Sequence, residues 1–70
     1  MVLKITLDKE ADAAYIYLKE IATGEVAKTI SLNDSINIDL DSSGQILGIE
    51  VLDASQNLPV NAVKSAEIIN

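Results

Sequence analysis

One stretch of the chain matches the spacing of a calcium-binding loop. It is Asp39-x-Asp41-x-Ser43-Gly44-x5-Glu50, with oxygen-bearing residues at loop positions 1, 3, 5 and 12 and glycine at position 6. Such a loop lies between two helices, whereas the residues on both sides here alternate between apolar and polar types, as strands do. We therefore predict a β-turn that uses Gly44, with weak calcium binding by Asp39, Asp41, Ser43 and Glu50 as the alternative.

Few residues offer a route to catalysis. Asp8, Glu10 and Asp12 crowd one polar segment, but acid–base chemistry needs carboxyl groups whose pKa values burial or a close partner drives apart. The serines have no histidine to act as a base, the chain has no cysteine, and its three glycines are too far apart for a phosphate-binding loop. We expect no enzymatic activity, no catalytic residue, no cofactor and no metal centre.

The two aromatic residues are candidates for an interaction surface. Alternation along a strand places Tyr15 and Tyr17 on the same face. Tyrosine suits an interface because it joins a large apolar body to a polar tip, although packing within the monomer's own sheet explains the pair equally well. Together with Val2, the residues predicted to lie opposite the main aliphatic set are Tyr15, Tyr17, Ile46 and Leu52, and these four are our candidate interaction residues.

Period-two alternation predicts five strands, at residues 2–7, 15–19, 26–32, 36–41 and 46–51. The connections are short and contain glycine, asparagine, aspartate or serine, which favours antiparallel hairpins over crossovers. Pro59, followed by Val60 and Val63 at helical spacing, predicts a short C-terminal helix that is stable only when packed on the sheet. The predicted fold is α+β and mainly antiparallel: a five-stranded meander with one short C-terminal helix.

Length and composition predict self-association. The 70 residues are expected to form one small domain, and a domain of this size buries only about 60% of the surface that its unfolded chain exposes. About a third of the residues are Ile, Leu or Val, which excludes intrinsic disorder. One short helix cannot cover both faces of the sheet, so we expect a second copy of the chain to do so, in a homodimer or higher oligomer.

The acidic charge limits the partners. Five lysines and eleven acidic residues leave a net charge of -6, which argues against binding to nucleic acid or to an anionic membrane surface. No apolar run approaches the roughly 18 residues of a membrane span, and the N-terminus lacks the pattern of a secretion signal, so we expect a cytoplasmic protein.

Two alternatives belong to other functional classes. An acidic inhibitor, similar to an antitoxin, would cover a small basic protein with Asp39, Asp41, Glu50 and Asp53. A small-ligand binder would need a concave pocket lined by Tyr15 or Tyr17.

Two blocks of the sequence resemble a known family. They are the stretch from Leu7 to Leu18, LDKEADAAYIYL, and the stretch from Ile36 to Asp41 followed by Gly44 and by residues 48–55, GIEVLDAS. Over roughly residues 1 to 55 the chain resembles the small prokaryotic proteins grouped as domain of unknown function 2283, although members often carry an aromatic residue where this chain has Leu7. The resemblance implies a single-domain cytoplasmic protein with no established activity, cofactor or catalytic residue. Some members are encoded beside another small protein, which implies a protein partner.

Overall fold

A computed structural model describes residues 3–70 of the protein as one open sheet with two short helices. The helices lie near the C-terminus, between the fifth and sixth strands. In chain order, the elements are β1 (Lys4–Asp8), β2 (Ala13–Tyr17), β3 (Lys28–Ser31), β4 (Ile36–Leu40), β5 (Ile46–Leu52), α1 (Ala54–Asn57), α2 (Val60–Ser65) and β6 (Glu67–Ile68). The predicted α+β class and mainly antiparallel sheet are confirmed.

The strand order, β3-β4-β5-β2-β1-β6, departs from a meander at two connections, from β2 to β3 and from β5 to β6. β1 and β2 form a hairpin, β3, β4 and β5 form a meander, and antiparallel pairing of β2 with β5 joins the two units. This pairing sets Ala14 beside Val51 and Ile16 beside Ile49, so it brings the apolar side chains of the two units together. Residues 18–27 consequently pass from the middle of the sheet to its edge instead of forming a hairpin.

The C-terminal segment contains more structure than the alternation pattern indicates. This segment forms two helices, each of one to two turns, whereas one helix was predicted. Pro59 directly precedes the second helix, α2. The two-residue strand β6 then pairs in parallel with β1 and extends the sheet to six strands. Neither helix in the described part of the chain has the length or the apolar content needed to cross a membrane.

The core lies between the helices and one part of the sheet. Its buried residues are Leu7, Ala14, Val51 and Ala54, and partly buried aliphatic side chains from the same strands and from the helices pack around them. The helices pack on β5 and on β1. Helices this short have little stability of their own, so this packing holds them in place.

Candidate functional site

The polar face of the sheet, opposite the helices, carries both tyrosines. Tyr15 extends across the central strand β5 to reach β4, where its hydroxyl donates a hydrogen bond of 2.6 Å to Asp39 Oδ2. This reach depends on Gly48, which occupies β5 beneath the tyrosine ring. A Cβ atom at Gly48 would lie 2.4 Å from Tyr15 Cε2 and 2.5 Å from its hydroxyl oxygen. The glycine therefore makes room for the bond that joins β2 to β4.

Asp39 is the acceptor at the centre of this polar network. Its Oδ1 accepts a hydrogen bond of 2.6 Å from the hydroxyl of Thr29 on β3. Burial of Tyr15, followed by its hydrogen bond to Asp39 and the negative charge of that carboxylate, raises the pKa of the phenol well above its usual value. The phenol therefore stays protonated, and remains a hydrogen-bond donor, up to a higher pH than a free tyrosine does.

Tyr17, the last residue of β2, lies beside Tyr15 on the same face of the sheet. Its ring meets that of Tyr15 in an edge-to-face arrangement, with centroids 4.6 Å apart and an interplanar angle of 61°. The Lys4 ammonium nitrogen lies 5.0 Å from the centroid of the Tyr17 ring, within the range of a cation–π interaction. A hollow of about 270 Å³ opens beside the two rings and is lined by Tyr15, Tyr17, Ile21, Val26 and Asp39.

The candidate interaction residues do not form one patch. The register pairs Leu52 with Ala13, so Leu52 shares the face of Tyr15 and Tyr17 but lies toward the opposite end of β2. A β-bulge pairs Ile46 with Leu40, which places Ile46 beside the aliphatic face instead of the tyrosines. Val2 lies outside the described residues. The second face is also mostly polar, because the residues that the register places around the tyrosines are Lys4, Thr6, Asp8, Thr29, Ser31, Asn37, Asp39 and Glu50.

Part of the exposed apolar area lies instead on the aliphatic face, away from the helices. There, Ile30 of β3, Ile38 and Leu40 of β4, and Ile46 of β5 form what we call the uncovered aliphatic surface. Ile30 is 43% exposed and Ile46 is 47% exposed, although both are large apolar side chains. The helices pack on β5 and β1, whereas this surface is centred on β3 and β4. Alternation assigns these residues to the face on which the helix was expected to pack, but it does not show that they lie beyond the reach of the helices.

The calcium-like stretch forms the predicted hairpin turn. Asp41 Oδ1 accepts hydrogen bonds of 2.9 Å from the backbone N–H groups of Gln45 and Ser43 and from the Ser43 hydroxyl, and Gly44 has a φ of 87°. These bonds, led by the one from Gln45, hold the pKa of the Asp41 carboxyl below its usual value. Glu50 lies on β5, where it accepts a hydrogen bond of 2.9 Å from Asn37 Nδ2. The loop oxygens are therefore engaged separately, and residues 3–70 contain no group of three side chains placed to hold a metal ion.

The acidic segment 8–12 has a structural role. Asp12 adopts a left-handed conformation, with a φ of 51°, and its carboxylate accepts hydrogen bonds from the backbone N–H (3.0 Å) and the hydroxyl (2.7 Å) of Ser55. The backbone carbonyl of Asp12 also accepts the N–H of Ala54 at 2.9 Å. Asp12 therefore caps the N-terminus of α1, although it precedes Ser55 by 43 residues in the sequence. Asp53 occupies the N-cap position itself but makes no side-chain hydrogen bond to the helix. A contact between residues so far apart leaves no local signal in the sequence.

The four acidic residues considered for an inhibitor surface are dispersed. Asp39 and Glu50 lie on the polar face of the sheet, Asp41 lies in the β4–β5 turn, and Asp53 lies at the start of α1.

Comparison with known protein families gives a match over most of the chain. A family model described as "Protein of unknown function (DUF2283)" matches residues 4–55, which contain β1 to β5 and the beginning of α1. No curated protein and no solved structure is significantly similar to the chain.

Proposed function

The chain belongs to the DUF2283 family of proteins of unknown function, and we propose that it is a non-catalytic protein-interaction module that pairs with a second copy of itself. The observation that carries this proposal is the uncovered aliphatic surface of Ile30, Ile38, Leu40 and Ile46. A cytoplasmic location is part of the proposal, and fractionation of the host cells tests it.

The total surface area supports pairing. The protein exposes 4782 Å² at a mass of 7.5 kDa. A folded monomer of this mass exposes about 4,250 Å² on average, so the excess is about 500 Å². The radius of gyration, 11.9 Å, exceeds the roughly 11 Å expected of a compact domain of this length. A standard interface covers about 800 Å² on each partner, so this excess corresponds to somewhat more than half of such an interface.

The distribution of charge favours a second copy at this surface. Two copies together carry twice the net charge of -6, so pairing through a face that bears carboxylates would bring like charges together. Asp39 and Glu50 lie on the opposite face of the sheet. The charged residue that the register places beside the uncovered aliphatic surface is Lys28, which pairs with Leu40. Two copies can therefore meet there without opposing carboxylates.

The molecular mass in solution tests this proposal. We expect size-exclusion chromatography with light scattering to give twice the 7.5 kDa mass of the chain at micromolar concentration. Ile30→Glu and Ile46→Glu place a charge in the interface and are each expected to weaken the dimer by tenfold or more.

Val60→Glu is the matched control, because Val60 is 65% exposed but lies on α2, on the part of the face that the helices occupy. It adds the same charge and should leave the dimer intact. A wild-type monomer at all accessible concentrations, or equal dissociation by Val60→Glu, would contradict the proposal. Circular dichroism shows whether each variant is folded.

A further inference from the structure

The hollow beside the tyrosines lies on the opposite face from the surface proposed for pairing. Its walls are two aromatic rings and two aliphatic side chains, Ile21 and Val26, and its polar group is the carboxylate of Asp39. Apolar walls with a few convergent polar groups are typical of small-molecule sites. We propose that this hollow binds the protonated amino group of a small organic amine, with Asp39 as the hydrogen-bond acceptor.

Asp39 supplies the charge that an ammonium group complements. Both hydrogen bonds that the structure gives it come from hydroxyl groups, those of Tyr15 and Thr29, which carry no charge. The ion pair found within residues 3–70 joins Lys19 to Glu25 and does not include Asp39. A carboxylate offers about four acceptor positions, so about two remain for the N–H groups of a ligand.

The tyrosine rings supply the second part of the recognition. The Lys4 ammonium nitrogen lies 5.0 Å from the Tyr17 centroid and already engages that ring, so the ring left for a ligand beside Asp39 is that of Tyr15. Aromatic rings attract ammonium ions through their negative faces, and an amine with an alkyl chain also covers the apolar walls. A metal ion is a poorer fit, because the described part of the chain contains no group of three ligating side chains.

The size of the hollow limits the ligand. At about 30 Å³ per water molecule, 270 Å³ corresponds to roughly nine waters. An amine of about five to nine non-hydrogen atoms therefore fits, and n-butylammonium, with five, is a suitable probe. A ligand this small in an open site is expected to bind with a Kd on the order of 1 mM.

NMR titration of the isotope-labelled wild-type protein tests the proposal. We expect n-butylammonium chloride to shift the backbone amide signals of Tyr15, Tyr17 and Asp39 to saturation. The uncharged alcohol n-butanol, which has the same number of non-hydrogen atoms, should leave these signals unchanged at the same concentrations. Asp39→Asn should weaken binding at least tenfold. Asp34→Asn, which removes the same charge from an exposed residue of the β3–β4 turn, should bind as the wild type does.

Three results would overturn the assignment: no saturable shift with n-butylammonium, equal binding of n-butanol, or equal weakening by Asp34→Asn and Asp39→Asn. The dispersion of the amide spectrum reports whether Asp39→Asn is folded. If that variant does not fold, the comparison of the amine with the alcohol on the wild-type protein still decides the question. Because the hollow and the uncovered aliphatic surface lie on opposite faces, failure here leaves the proposed pairing untouched.

Discussion

Replacing Gly48 with alanine is expected to destabilise the protein by breaking the Tyr15–Asp39 hydrogen bond. The new Cβ would lie 2.4 Å from Tyr15 Cε2, about 1 Å closer than the nearest comfortable carbon–carbon contact. If the ring retreats by that distance, the hydroxyl–carboxylate bond lengthens from 2.6 Å to about 3.6 Å, where it no longer counts as a hydrogen bond.

The cost of this change follows from two contributions. A hydrogen bond to a charged acceptor contributes about 1.5–3 kcal/mol, and overpacking costs about 1–3 kcal/mol. We therefore expect a loss of about 2.5–6 kcal/mol in the free energy of unfolding. A chain of this length has roughly 4–10 kcal/mol in total, at about 0.05–0.15 kcal/mol per residue, so this loss removes a large part of its stability.

A double-mutant cycle isolates the contact between the two residues. Urea unfolding, followed by circular dichroism at one protein concentration, measures Gly48→Ala in the wild type and in Tyr15→Ala. Without the ring, alanine at position 48 should be neutral or stabilising by about 0.5–1 kcal/mol, because glycine is unfavourable within a strand. Equal costs in the two backgrounds would refute the steric explanation.

Gly44→Ala is the matched control for this cycle. Gly44 has a φ of 87° and no atom within 4 Å of the added Cβ, so its cost arises from backbone strain alone. That cost should be the same whether or not Tyr15 is present.

Three further predictions concern other polar contacts. Asp12→Ala should lower the free energy of unfolding, measured in urea, by about 1–2 kcal/mol, because it removes the hydrogen bonds to Ser55 and places alanine in a left-handed conformation. Asp12→Asn should lower it by less than half as much. Equal losses in the two variants would contradict the capping role. Asp41→Asn should destabilise the protein at pH 7, and the difference in the free energy of unfolding should shrink as the pH falls below the ordinary pKa of an aspartate and through the lower pKa of folded Asp41; a difference independent of pH would exclude this. Because the pKa of Tyr15 is raised, its contribution to the free energy of unfolding is complete below pH 10 and is lost at higher pH. In a Tyr17→Phe variant, Tyr15 is the one remaining phenol, and its absorbance should show ionisation at a higher pH than in free tyrosine. Ionisation at the ordinary value would disprove the contact with Asp39.

The sequence predicts the strands well because alternation is a local property. The cleanest alternating segment, predicted at residues 36–41, is β4 at Ile36–Leu40. Strand pairing is not local: alternation assigns a residue to a face but does not choose its neighbour, so the pairing of β2 with β5 could not be deduced. β6, with two residues, is too short to show a period at all.

The candidate site was only partly predictable for the same reason. The spacing of Tyr15 and Tyr17 correctly places both on one face. The partner that Tyr15 reaches, Asp39, lies 24 residues away and is visible only in three dimensions. Gly48 was the one available signal, since glycine inside a strand often marks the close approach of another group. Ile46 was misplaced because a β-bulge shifts the register, and alternation alone cannot reveal a bulge.

The short strand β6 gives the two edges of the sheet different properties. It pairs with β1, where Ile69 N–H bonds to Leu7 O at 2.9 Å and Lys9 N–H bonds to Asn70 O at 2.8 Å, and becomes the edge strand on that side, whereas β3 forms the opposite edge in the described part of the chain. An exposed edge strand offers backbone groups for pairing with another chain. With two open edges, copies could add end to end without limit and form fibres. Very short edge strands limit such growth, and β6, with two residues, offers so few backbone groups that the four-residue β3 is the edge better suited to pairing.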